Sequence, residues 1–213
     1  MSALSSPKRP MSRLGMIGVM LGLAGAFVGY KAFAITGGTV AIGDGSEPIR
    51  GGTVVVRDGR VVAAGANVGV PAGAQVIDAT GKWVTPGIVA GFSRLGLVDV
   101  DAVDGGNDAS ADGPFSAALD VGPAVNPDAS PVAINRADGV TRAIVAPVAG
   151  KSIFAGQGAL IDTGADLQPV TRARLFQFIE LGEEGAEQAG GSRTSSHVLL
   201  RNALREAPEL GRF

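Results

Sequence analysis

Between residues 35 and 80, apolar and polar positions alternate over short runs separated by glycine pairs and Asp-Gly steps. Thr39-Val40-Ala41-Ile42, Thr53-Val54-Val55-Val56-Arg57, Arg60-Val61-Val62-Ala63-Ala64 and Gln75-Val76-Ile77-Asp78 have the length and β-branched content of strands. Asp58-Gly59 separates two of these runs, which predicts a hairpin with a type I′ turn and positive φ at both central residues. Pro71-Ala72-Gly73 predicts another turn. Gly37-Gly38-Thr39 and Gly51-Gly52-Thr53 resemble a repeat, but their surroundings differ. They predict two strand starts and not a solenoid.

The pattern changes after Thr85-Pro86-Gly87. A short apolar strand is predicted over 88–92, and then a long loop over 99–128, rich in Asp, Gly, Ala, Asn and Pro. A loop of that size in a compact domain is often functional. A short helix is predicted over 130–137, with Gly139 as its stop, followed by a buried strand over 140–147. Residues 152–162 predict a further strand or hairpin arm around Ala155-Gly156-Gln157-Gly158-Ala159. The last third reads as helical. Leu175, Phe178 and Ile179 fall at helical spacing within 171–181, and Phe176 widens that apolar face. Gly190-Gly191 interrupts the pattern, which resumes over 192–207 with Val198, Leu199 and Leu204 before Pro208 closes it.

The N-terminus has its own grammar. Lys8, Arg9 and Arg13 precede an apolar run over 14–29, and Ala32-Phe33-Ala34 supplies a small-x-small site. That order predicts a secretory signal peptide over 1–34, cut after Ala34. The run is short for a membrane span, which takes about 20 apolar residues. Lys31, between the run and the Ala-x-Ala site, keeps an uncleaved signal anchor open. The expected location is therefore periplasmic or secreted, with inner-membrane anchoring as the alternative; any membrane contact would come only through an uncleaved signal segment.

Removing residues 1–34 changes the charge. They hold four of the 18 basic residues and none of the 20 acidic ones, so the remainder carries a net charge of −6. That balance excludes a nucleic-acid partner held through phosphates. The chain has no cysteine, hence no disulfides. Its 46% apolar content excludes disorder over most of the length.

Candidate chemistry is sparse. His197 is the single histidine, in the polar helical stretch Thr194-Ser195-Ser196-His197, and residue 201, one helical turn on, is Arg. It reads as a solvated helix histidine. Asp99, Asp101, Asp104, Asp108 and Asp112 suggest calcium, yet their spacing departs from an EF-hand loop, so a solvated acidic loop is the expected reading. Ser152 and Ser195 lie in no G-x-S-x-G elbow. Gly37-Gly38 and Gly156-Gln157-Gly158 lack phosphate-loop spacing and read as turn and close-packing glycines. No catalytic, cofactor-binding or metal-binding residue is assigned.

One stretch carries a family likeness. Lys82-Trp83-Val84-Thr85-Pro86-Gly87-Ile88-Val89-Ala90-Gly91-Phe92-Ser93-Arg94 resembles the first barrel strand of the amidohydrolase superfamily, T-P-G-(apolar)-(apolar)-D-x-H-x-H. Ala90 stands at the Asp position; Phe92 and Arg94 stand at the two metal-binding histidines. The run from Gly43 through Gly51-Gly52-Thr53 to Asp58-Gly59-Arg60 resembles the signature of the β-sandwich that precedes the barrel in many members. Gly139-Val140-Thr141 resembles the start of the second barrel strand, and Gly156-Gln157-Gly158-Ala159 a "GGQGA" segment of the imidazolonepropionase-like, metal-dependent hydrolase branch.

The resemblance implies an α/β chain with a small β-sandwich over 35–83 and the first part of a TIM-like (β/α) barrel over 84–213. A whole barrel takes about 250 residues, so this stretch supplies two or three of eight units. Either the chain is the N-terminal part of a longer product, or something else completes the sheet. The family reaction is metal-assisted hydrolysis of a C–N bond in an amide or cyclic amide, with a divalent metal such as zinc. Phe92 cannot ligate a metal and Arg94 would repel one. The expectation is a truncated, pseudoenzyme-like chain, inactive alone and holding no cofactor, or a non-catalytic partner of a complete homologous amidohydrolase subunit.

Overall fold

The computed structural model describes residues 32–100, 104–110 and 116–210, which fall into two compact units divided between Gly87 and Ile88. Most of the expected signal peptide lies outside the described residues; Ala32, Phe33 and Ala34 lie within them. Among the described residues no helix is long and apolar enough to cross a membrane.

The first unit is an open mixed sheet built from β1 (Ala32–Val40), β2 (Ile49–Arg57), β3 (Arg60–Gly65), β4 (Gln75–Asp78) and β5 (Trp83–Val84). β2 and β3 form the expected hairpin: Asp58 and Gly59 both have positive φ, +49° and +71°, as a type I′ turn requires. β1 pairs antiparallel with β2, and on its other side parallel first with β4 and then with β5. In hydrogen-bond terms the expected sandwich is therefore one sheet, because β1 is long enough to serve two short strands in succession. Ile35, Val40, Val54, Ala79 and Val84 form its buried core.

The two Gly-Gly pairs lie inside β1 and β2 and do not start them. Gly38 and Gly52 face each other across the ladder at a register shift in β1. A Cβ on Gly38 would meet Val84 Cγ2 at 2.8 Å, and one on Gly52 would meet Val40 Cγ2 at 2.8 Å. The glycines thus leave room for two core valines.

The second unit begins with a β-α-β crossover. β6 (Ile88–Ser93) runs parallel to β7 (Val140–Val145), with helix α1 (Ser130–Ala137) between them in sequence. Parallel neighbours need such a connection. β8 (Phe154–Asp162) then pairs antiparallel with β7, and β9 (Val170–Ile179) antiparallel with β8, giving the order β6-β7-β8-β9. Val132 of α1 packs with Ala143, Val145, Ala159 and Ile161 on one face of the sheet. Within the 99–128 loop, Ala109 and Val121 enter this core, as Leu97 and Val98 do just before it. Asp99 accepts the Ser130 N–H at 3.0 Å, capping α1 from a distance.

β9 corrects the helix expected over 171–181. Its apolar residues satisfy both periods, but Phe176 and Phe178 flank Gln177 at strand spacing, and β8 offers antiparallel backbone partners along its length, with register shifts. Tertiary pairing decides the outcome. The expected C-terminal helix is present as α3 over Arg193–Leu210, but it runs past Pro208, the expected stop, and a short α2 (Glu183–Gln188) precedes it. The two helices pack together, and the fully buried Ser196 hydroxyl donates to Gly185 O at 3.0 Å. Val198, Leu199 and Leu204 of α3 remain exposed.

Candidate functional site

The register of the second sheet sorts its side chains onto two faces, since directly paired residues share a face. Ala90, Ala143 and Ile161 lie on the core face with α1. Ala90 is thus a packing residue.

Phe92 turns the other way. Its φ is +47°, a conformation that a bulky residue rarely adopts, within a register shift between Ala90 and Ser93. Its side chain meets Phe176 edge-on, with ring centroids 5.9 Å apart, and Phe178 at 5.7 Å. Such pairs are worth about 0.5–1.5 kcal/mol beyond their buried area. Even so, Phe92 is 69% exposed. The three rings bring the two outer strands of the sheet, β6 and β9, into side-chain contact.

The Gly156-Gln157-Gly158 segment makes this arrangement possible. Gly158 is paired with Phe176, whose ring lies where a Cβ on Gly158 would be. Gly156, with φ +130°, lies beside Leu119, whose carbonyl would be 2.9 Å from an added Cβ. Gln157 N–H donates to Leu119 O at 2.6 Å, and Gln157 O accepts Val121 N–H at 3.2 Å, tying the loop to β8. Gln177 adds a side-chain bond from Nε2 to Gly156 O at 3.0 Å. The glycines are close-packing positions and not a phosphate cradle.

Beside them lies a close-range ion pair. Asp120 Oδ2 accepts Arg174 Nε at 2.8 Å, while Oδ1 accepts Gly122 N–H at 2.9 Å. The Arg174 guanidinium, aided by the Gly122 amide, holds the Asp120 carboxyl below its ordinary value. Arg174 has φ +51°, so a second unusual backbone conformation sits on β9 near the rings.

This group of residues does not fit a metal. Phe92 offers no lone pair, and Arg94, exposed just after β6, carries a fixed positive charge. His197 is exposed on α3. Among the described residues, no three His, Cys, Asp or Glu side chains gather as a metal site. Of the acidic loop, Asp99 is engaged as the α1 cap and Asp108 is exposed, while Asp101 and Asp112 lie outside the described residues. Ser152 accepts the Phe154 N–H at 3.2 Å, a local turn contact and no nucleophile arrangement. Sequence reasoning missed Phe176, Phe178, Asp120 and Arg174. The available signal was a Phe-x-Phe step opposite a Gly-x-Gly step.

No protein-family model matches the chain, and no curated protein matches it. Among solved structures, it is similar to an amidohydrolase from Thermotoga maritima MSB8, with a TM-score of 0.75 and 22% identity over 84% of this chain and 48% of that one. The likeness at that identity is one of fold. The chain spans about half the length of that structure. A molinate hydrolase is 38% identical over 33% of this chain and 15% of its own, with a TM-score of 0.29. The chain therefore has an α/β fold of two open mixed sheets, similar to that of an amidohydrolase.

Proposed function

We propose that this is an exported protein of the imidazolonepropionase-like amidohydrolase branch: a small one-sheet β domain followed by the first part of a (β/α) barrel, inactive alone in metal-dependent C–N hydrolysis. The observation that carries this reading is the packing of Phe92, at a family metal-ligand position, against Phe176 and Phe178. An aromatic cluster at that point removes a nitrogen donor and fills space that an ion and its water would need. Purified protein should hold far less than one zinc, manganese or iron per chain by elemental analysis. It should not hydrolyse dipeptide or cyclic-amide substrates. Stoichiometric metal together with turnover would overturn this reading.

A second reading, a non-catalytic subunit paired with a complete amidohydrolase, is favoured by unspent surface. Among the described residues, β6 and β9 each leave one edge unpaired, and Ile88, Val89 and Phe92 are exposed on β6. Unprotected apolar edges are templates for pairing with another chain. Co-purification with a larger homologous chain supports this reading. A monomer recovered alone from its native source, at every concentration tested, counts against it.

A further inference from the structure

We propose that the leader is cut between Ala26 and Phe27, after Ala24-Gly25-Ala26, and not after Ala34; this rests on the export reading above. Both sites carry small residues at the last and third-last positions before the cut. The fold distinguishes them. Ala32, Phe33 and Ala34 are the first three residues of β1 and pair with Arg57, Val56 and Val55 of β2. Phe33 and Ala34 also pair with Gln75 and Val76, half of the register that holds β4. Ala34 is 0% exposed, and Phe33 packs against the core of the first unit. A cut after Ala34 would strip these contacts from two neighbouring strands. It would also create a charged ammonium on Ile35, a residue only 4% exposed. Burying an ammonium without a partner is strongly unfavourable.

The upstream site avoids both penalties. Leu14 to Leu23 form an apolar stretch of ten residues directly before Ala24, within the roughly 7–15 expected of a signal core. Lys31 then falls on the mature side, where a charge is unremarkable, and Phe27-Val28-Gly29-Tyr30-Lys31 precede an intact β1. A membrane signal peptidase would add water across the Ala26–Phe27 amide, leaving a carboxylate on Ala26 and an ammonium on Phe27.

The test expresses the full chain in an exporting bacterial host and reads the N-terminus by mass spectrometry of denatured whole-cell and periplasmic samples, so that folding of a variant does not enter. The mature species should begin at Phe27. Ala26→Arg should abolish that species and accumulate precursor, while Ala32→Arg, which spoils the downstream site, should leave the Phe27 start unchanged. A mature start at Ile35, or at any residue other than Phe27, overturns the assignment and leaves export standing. So does a block by Ala32→Arg but not by Ala26→Arg. An uncut N-terminus on cytosolic protein overturns the export reading and this one with it. An uncut N-terminus on membrane-bound protein overturns this one alone.

Discussion

Gly158 matters through the side chain it lacks. The Phe176 ring occupies the place of its Cβ, and through that position reaches Phe92. Gly158→Ala forces the ring or the strand to move, and overpacking of this kind costs about 1–3 kcal/mol. In a Phe176→Ala background the obstacle is gone, so the same glycine substitution should cost little. Denaturant midpoints for the four proteins of that cycle give the coupling, and equal costs in both backgrounds would refute the ring-over-glycine packing. Asp120 makes a different kind of contribution. Its carboxyl is held below the usual value, chiefly by Arg174, so the stabilisation is fully present above the unfolded carboxyl value and is lost as pH falls through the lower, folded value. Asp44 and Asp78, held low by Ser46 and Thr80 in exposed turns, act in the same direction. Asp120→Asn should therefore lower stability at neutral pH by on the order of 1 kcal/mol and flatten the acid limb below about pH 4. Melting curves from pH 3 to 7 test this, and an acid limb as steep as that of the original protein would exclude the Asp120 contribution.

At the scale of elements, the β2–β3 hairpin was the most legible part of the chain, because Asp58-Gly59 states its turn type in two residues. Gly59 has φ +71°, so Gly59→Val should destabilise the first unit by about 1–2 kcal/mol; an unchanged melting midpoint would show that the turn can adopt another form. The helix at Ser130–Ala137 and the strand at Gln75–Asp78 were equally readable, since local propensity and fold agree there. β9 was not. Leu175, Phe178 and Ile179 fit a helical stripe, and Phe176 and Phe178 fit a strand face, so the choice depended on β8, some twenty residues upstream. The candidate site inherited that ambiguity. The strand that carries Phe92 could be placed after the Thr-Pro-Gly turn, but the Phe92–Phe176–Phe178 contact exists only if β9 is a strand. The mid-strand pairing of Gly38 with Gly52 was likewise invisible, because a glycine pair marks a turn and a close approach equally well.

For the whole molecule, the question is whether histidines at positions 92 and 94 would make a metal centre. Phe92→His is locally permissible, since His tolerates the positive φ found there better than most residues, and Arg94→His removes the repelling cation. Two imidazoles still fall short. Catalytic zinc takes about three protein ligands, with water completing the set. The neighbours that Phe92 touches, Phe176 and Phe178, donate nothing, and no further acid or histidine cluster is present among the described residues to supply the rest. Second-sphere support is equally thin: a ligating histidine needs its other ring nitrogen oriented by a carboxylate or carbonyl, and Asp120 is already committed to Arg174 and the Gly122 amide. The doubly substituted chain should therefore bind zinc substoichiometrically in equilibrium dialysis and remain inactive on cyclic amides. Removing Phe92 also dismantles the ring contacts between β6 and β9, so it should melt lower than the original protein. If the double variant instead gains one tightly held zinc and measurable hydrolysis, the deficiency lies in two residues alone, and the second unit is a complete enzyme scaffold.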